Sequence, residues 1–139
     1  MSGQSALAAA VRGASLQDFI DVAGRIRGDI VRTPLLPAIT GSRTIRLKAE
    51  CLQPLGSFKI RPAASVLQAM DPGALQRGVA TASAGNFSQG LGLAAKRRGI
   101  ALTVHAPDSA AKVKLEAIRD QGARIVMHSF ADWWSIMMT

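Results

Sequence analysis

From Gly78 onward the chain repeats one unit three times, a short β-type run followed by a helical stretch. The runs are Val79 to Ser83, Ile100 to His105 and Arg124 to His128, and the helices they predict cover about 87–98, 110–121 and 130 to the end. Gly99 and Gly122 stand between helix and strand, where a left-handed residue closes a helix without a steric penalty. Strands separated by whole helices cannot join as tight hairpins, so they pair in parallel through right-handed crossovers. This half of the chain is therefore α/β. The likeness between Ala95–His105 and Ile118–His128 is that architecture recurring, and two copies are too few for a solenoid.

Before residue 77 the rhythm differs, and the change marks a boundary between residues 1–76 and 77–139. Residues 1–14 are small and weakly patterned, a frayed lead-in. Ser15 is an N-cap with Asp18 three residues on; Leu16, Phe19, Ile20, Ala23, Ile26 and Ile30 then share one face of a helix over 16–29. Thr33-Pro34 and Pro37 turn the chain into an extended connector, because a residue before proline is pushed out of helical geometry. An alternating run from Thr44 to Glu50 predicts a strand, and Ala63, Val66, Leu67 and Met70 predict a helix from Phe58 to Met70. Asp71-Pro72-Gly73 is a turn.

With 139 residues, 48% of them hydrophobic, and no long charged tract, the chain is globular with a core of its own. No apolar run is long enough to span a bilayer and Met1 to Gly13 lacks a signal-peptide pattern, which predicts no membrane partner and a cytoplasmic protein. The single Cys51 excludes an internal disulfide framework and fits a small buried hydrophobe beside the strand. His105 and His128 each end a predicted strand, in a structural or rim position, and no Cys/His cluster supports a metal site.

The formal charge of +8 raises nucleic acid as a partner. However, the seventeen basic residues are scattered, the densest group, Lys96-Arg97-Arg98, ends a helix where cations suit the dipole, and four Phe and two Trp offer little stacking surface. No nucleic-acid partner is expected. A larger protein with a more acidic remainder accounts for the charge, and the apolar segment Phe130–Thr139, which stops without a cap or polar tail, points the same way.

The chemistry concentrates on Lys59. It lies at the strand-to-helix corner, between Phe58 and Ile60. An amine is nucleophilic only when neutral, and apolar neighbours with the positive end of a helix dipole favour that form, which suits Schiff-base chemistry. A solvated lysine of a first helical turn fits the local pattern as well. A second segment, Thr81-Ala-Ser83-Ala84-Gly85-Asn86-Phe87-Ser88-Gln89-Gly90, reads as a strand, a tight loop and a helix start. Its glycine permits close backbone approach and its asparagine donates without charge.

Glu50, Gln53 and Gly56-Ser57-Phe58-Lys59-Ile60-Arg61, followed by Ser83-Ala84-Gly85-Asn86 and Gln89, resemble the two signature segments of the threonine/serine dehydratase (serine racemase-like) family of fold type II pyridoxal-phosphate enzymes. Thr33-Pro34-Leu35 matches the short segment that precedes them, and the likeness runs from about Leu16 to the end. The resemblance implies a fold like that of the tryptophan synthase β chain, built of parallel three-layer αβα units and incomplete at the C-terminus. Residues 1–76 would begin the large cofactor domain and 77–139 would form part of a smaller α/β domain. It further implies pyridoxal 5′-phosphate as cofactor, a small amino-acid substrate and, at full length, a homo-oligomer.

By the same resemblance, Lys59 carries the cofactor and, once released, serves as general base; Phe58 packs beside the ring; and Asn86 hydrogen-bonds the ring's 3′-oxygen. The loop Ser83, Ala84, Gly85, Asn86, Phe87 and Gln89 seats the substrate carboxylate at a helix N-terminus. The implied reaction removes a β-hydroxyl from threonine or serine to give a 2-oxo acid and ammonia. Several positions depart from the pattern. Phe87 stands where many members have His, and its apolar ring suits a bulkier, phenylserine-like substrate. Ala84 stands where serine racemase has a proton-donating serine, which disfavours racemisation. Leu55 replaces a commonly hydroxylated residue, and Pro62 replaces a glycine, which a helix starting near Phe58 would tolerate. In the family the glycine-rich phosphate loop, the partner of the pyridine nitrogen and the acidic metal ligands lie beyond the point corresponding to Thr139. These residues alone are expected to hold the cofactor weakly, and a fragment without turnover is the competing reading.

Overall fold

The computed structural model describes residues 13–41 and 43–138; the lead-in at 1–12 lies outside the described residues. Helix α1 (Leu16–Arg25) is followed by strands β1 (Leu35–Thr40) and β2 (Arg43–Lys48), two 3-10 turns at Glu50–Leu52 and Pro54–Gly56, and helices α2 (Ile60–Ala69) and α3 (Pro72–Gln76). Then come β3 (Val79–Ala82), α4 (Asn86–Lys96), β4 (Leu102–Pro107), α5 (Lys112–Arg119), β5 (Arg124–His128) and α6 (Phe130–Met138).

The three βα units form as their spacing dictates. Strands β3, β4 and β5 lie side by side in that order, all parallel, with Ala82 opposite His105 and Pro107 opposite His128. Gly99 and Gly122 both take positive φ, 65° and 84°, at the helix-to-strand joints. On β4, Leu102, Val104 and Ala106 are buried, while Thr103 and His105 on the other face are only half-buried. Helix α6 packs on all three strands. The core gathers Ile60, Ala63, Ala64 and Leu67 of α2, Leu91, Ala94 and Ala95 of α4, Leu102 and Val104 of β4 and Ile118 of α5, so buried residues on either side of position 77 meet in one cluster.

The first half differs from its reading in four places. Leu35–Thr40 is a strand, not a connector: it pairs antiparallel with β2 from Leu35 opposite Lys48 to Thr40 opposite Arg43. Pro37 is tolerated because a two-stranded sheet consists only of edges, where a missing N–H need not break a ladder. Helix α1 stops at Arg25. Its Ser15–Asp18 capping box forms as expected, but of its apolar face only Ile26, just past the helix, is buried, whereas Leu16, Phe19 and Ile20 are exposed. Helix α2 starts at Ile60, two residues later than expected, and Pro62 still falls in its first turn, where an N–H would have no partner in the helix. Cys51 is exposed rather than buried, because Ala49 and Gln53 take the inward positions of the turn around it.

Candidate active site

Lys59 occupies the N-cap position of α2 with helical φ, ψ of −63° and −15°. Two left-handed residues, Leu55 (φ 64°) and Gly56 (φ 65°), bend the chain sharply just before it. Its main-chain N–H donates to Ser57 Oγ at 3.3 Å, and its Nζ lies 5.1 Å from the centre of the half-exposed Phe58 ring. The lysine is half-buried, with its amine over the face of the Phe58 ring.

A polar lattice holds this corner in place. The Glu50 carboxylate accepts from Arg61 Nε at 2.7 Å, Arg61 Nη2 at 2.8 Å and Thr33 Oγ1 at 2.6 Å. The fork of Arg61 thus closes on the carboxylate two-handedly, and it is this bonding above all that draws the Glu50 pKa down from 4.5 to about 2. Gln53, almost fully buried, acts as a surrogate strand: its Nε2 donates to Val31 O at 2.7 Å while its Oε1 accepts from Val31 N at 3.0 Å. Lys48 Nζ donates to Thr33 O. Glu50, Gln53 and Arg61 stood in the sequence motif without an assigned task; here they pin the 31–33 segment against the loop that presents Lys59. Their letters were visible in the sequence, but their partners, 11 to 22 residues away, were not.

The second motif forms the mouth of α4. Gly85 is its N-cap residue, extended at φ −123° and ψ −161°, and no side chain caps the helix. The N–H groups of the first turn are therefore open to an anion, at the positive end of an eleven-residue helix. Ser83 braces the loop: its hydroxyl accepts from Gly85 N at 3.4 Å, and its carbonyl accepts from the hydroxyl of Ser88. Ser88 is completely buried, and this bracing role has no signal in the sequence, where Ser88 is one more residue of the segment. Asn86 is exposed at the first position of the helix, Ser83, Ala84, Gly85 and Gln89 are half-buried around it, and Gln89 N donates to Gly85 O. Phe87 packs against the core, so its ring is committed inward and only its main chain faces the mouth.

The two motifs meet through Gly90. A Cβ at that position would lie 3.1 Å from Lys59 O, Ile60 N and Ile60 Cα, so α4 crosses α2 with backbone against backbone at the lysine corner. Gly90 is one helical turn, about 6 Å, inside the uncapped end. The lysine corner and the uncapped N-terminus of α4 are thereby fixed to each other by a backbone-to-backbone helix crossing in the molecule's core. A cleft of about 600 Å³ opens elsewhere, between α1 and β2, rimmed by Arg27, Arg32, Lys48 and Arg61.

A half-buried lysine at the start of α2 and the uncapped N-terminus of α4, which carries Asn86, are therefore held in one part of the core. The chain belongs to the family of pyridoxal-phosphate dependent enzymes, whose match covers residues 26–135. It is 35% identical over 118 residues to a catabolic L-threonine dehydratase of Staphylococcus aureus (strain USA300), an alignment covering 81% of this chain and 34% of that protein. An L-threo-3-hydroxyaspartate ammonia-lyase of a Pseudomonas species is 37% identical, over 82% of this chain and 37% of its own length. Among solved structures, serine racemase from Dictyostelium discoideum superposes with a TM-score of 0.81 at 33% identity, and a threonine deaminase from T.th. with 0.78 at 31% identity. Each comparison covers 90% of this chain, and 43% and 41% of the respective structures. The fold is accordingly fold type II. The chain spans about a third of the length of the curated relatives it matches. Among the described residues, no helix is long and apolar enough to cross a membrane.

Proposed function

We propose that the protein is a pyridoxal-phosphate-dependent ammonia-lyase of the threonine/serine dehydratase type, converting a β-hydroxy amino acid to a 2-oxo acid and ammonia. The observation that carries this reading is the crossing at Gly90, which joins the Lys59 corner to the open N-terminus of α4. The residues present fit the cofactor: Lys59 supplies an amine for its aldehyde, and Asn86 an uncharged donor for its ring oxygen. When bound, pyridoxal phosphate supplies an electron sink for the carbanion at the substrate's α-carbon.

The chain's own groups do the rest. Lys59 Nζ would hold the cofactor through its aldehyde and, as a free amine, would be the base for the α-proton. The Phe58 ring lies under the lysine amine, 5.1 Å from ring centre to Nζ, and covers it on one side. The first-turn N–H groups of α4, with Ser83 and Gln89 at the rim, receive the substrate carboxylate. Ala84 has no proton to give the opposite face of the α-carbon, which favours elimination over racemisation. The inward ring of Phe87 removes the main support for a bulkier substrate. In this reading residues 1–76 and 77–139 begin the two domains of the enzyme, whose full-length form is a homo-oligomer without a nucleic-acid partner, and the protein is cytoplasmic.

The test is turnover by the full-length protein. With cofactor and L-threonine or L-serine, 2-oxo acid release coupled to lactate dehydrogenase should be lost by at least 1000-fold in Lys59→Ala and by about 100–1000-fold in Asn86→Ala, of the order given by removing one positioned donor. Turnover unchanged in Lys59→Ala would refute the proposal.

A further inference from the structure

The α6-covered face of the parallel sheet carries a feature that neither the lysine corner nor the α4 mouth uses. His105 lies on β4 and His128 ends β5; because His105 is opposite Val126, the two histidines are offset by two residues on neighbouring strands and project from one face. His105 Nδ1 and His128 Nε2 are 2.8 Å apart, with the rings tilted by 30°. The backbone on this face is anchored, since the indole Nε1 of Trp133 donates to His105 O at 2.9 Å and Asp108 N donates to His128 O at 2.8 Å. Both imidazoles are half-buried, so solvent reaches them. Among the described residues no protein group bonds their outer nitrogens, His105 Nε2 and His128 Nδ1.

We propose that His105 and His128 form a two-imidazole chelate for a divalent transition metal ion of the nickel and copper class. At a metal–nitrogen distance of about 2.0–2.1 Å, two ligating nitrogens separated as these are subtend roughly 90° at the metal, the cis angle of tetragonal and octahedral ions. A tetrahedral zinc ion would need them about 3.3 Å apart, a wider bite than this pair presents. In the metal-free pair one proton lies between the two inner nitrogens. On binding, that proton moves to the outer nitrogen of its own ring and both imidazoles stay neutral; the rings turn so that their inner lone pairs, aimed at each other along the hydrogen bond in the metal-free pair, converge on the metal, and water fills the remaining positions. The chelate ties β4 to β5 beside Ala82, the residue opposite His105 and the one that leads into the Ser83 loop.

The experiment titrates the protein with Ni²⁺ alone, in a Cys51→Ser background that removes the exposed thiol as a competing ligand. Calorimetry should find one Ni²⁺ per chain, Zn²⁺ should bind at least fivefold more weakly, and His105→Gln and His128→Gln should each weaken Ni²⁺ at least tenfold. The chain has only these two histidines, which allows a second readout independent of any variant. In the ¹H–¹⁵N spectrum, substoichiometric Ni²⁺ should broaden both ring systems together. Absence of Ni²⁺ binding, unchanged affinity in either folded variant, or histidine signals that stay sharp would overturn the proposal.

Discussion

Glu50 is where residue-scale physics is most exposed to test, because one carboxylate joins three segments through Arg61 and Thr33. Its pKa lies at about 2 in the folded protein against 4.5 ordinarily, so the folded state holds its proton less tightly than the unfolded chain does. The stability this contributes is fully present above pH 4.5 and is lost as the pH falls from there toward 2. Urea midpoints measured across that window should decline in the wild type and decline less in Glu50→Gln, which should itself cost about 1–3 kcal/mol at neutral pH. Equal slopes in the two proteins would show that the carboxylate is not held as described. Ser88 makes a second case: its buried hydroxyl bonds Ser83 O, so Ser88→Ala should cost about 1–2 kcal/mol by chemical denaturation and loosen the loop bearing Asn86. The Ser15–Asp18 cap was legible because both partners lie within one turn. The tasks of Glu50 and Gln53 were not, because nothing local says which distant segment a side chain will bind, and the outward position of Cys51 depends on neighbours that take the inward ones.

At the scale of elements, hydrophobic period and glycine punctuation located β3, β4, β5 and the helices between them to within about two residues, since each unit buries one face against the next. The hairpin of β1 and β2 escaped because Pro34 and Pro37 signal a break locally, whereas a two-stranded sheet accepts proline on its open side. The crossing of α2 and α4 was invisible in the same way: Gly90 reads as a weak helix residue until Lys59 and Ile60 are found against it. Gly90→Ala places a Cβ 3.1 Å from three backbone atoms that cannot rotate aside. The helices must separate, at about 1–3 kcal/mol in thermal or urea unfolding, and the Lys59 corner should shift relative to the α4 mouth. Cofactor affinity in the full-length protein should then fall more than tenfold; an alanine variant as stable and as tight as wild type would show that the close approach is not required.

For the whole molecule, the balance between covered and uncovered apolar surface is the governing quantity. Leu16, Phe19 and Ile20 on α1, Leu35 and Ile39 on β1 and Trp134 and Met138 on α6 are all at least half-exposed, more than scattered surface residues explain. The 139-residue chain by itself should therefore bind 8-anilinonaphthalene sulfonate with a marked fluorescence rise and sediment with concentration-dependent association. A dye-silent monomer would mean that these faces pack among themselves in solution. Its +8 charge, spread along the sequence and accompanied by few aromatic residues, should not add salt-sensitive retention on DNA.

The central claim singles out one amine among the five lysines of the chain, and borohydride reduction tests it without any need for turnover. The full-length protein, incubated with pyridoxal 5′-phosphate, reduced and digested, should yield a single pyridoxyl-modified peptide that includes Ser57 to Arg61, with the added mass on Lys59. Label on another lysine, or on none, would contradict the account.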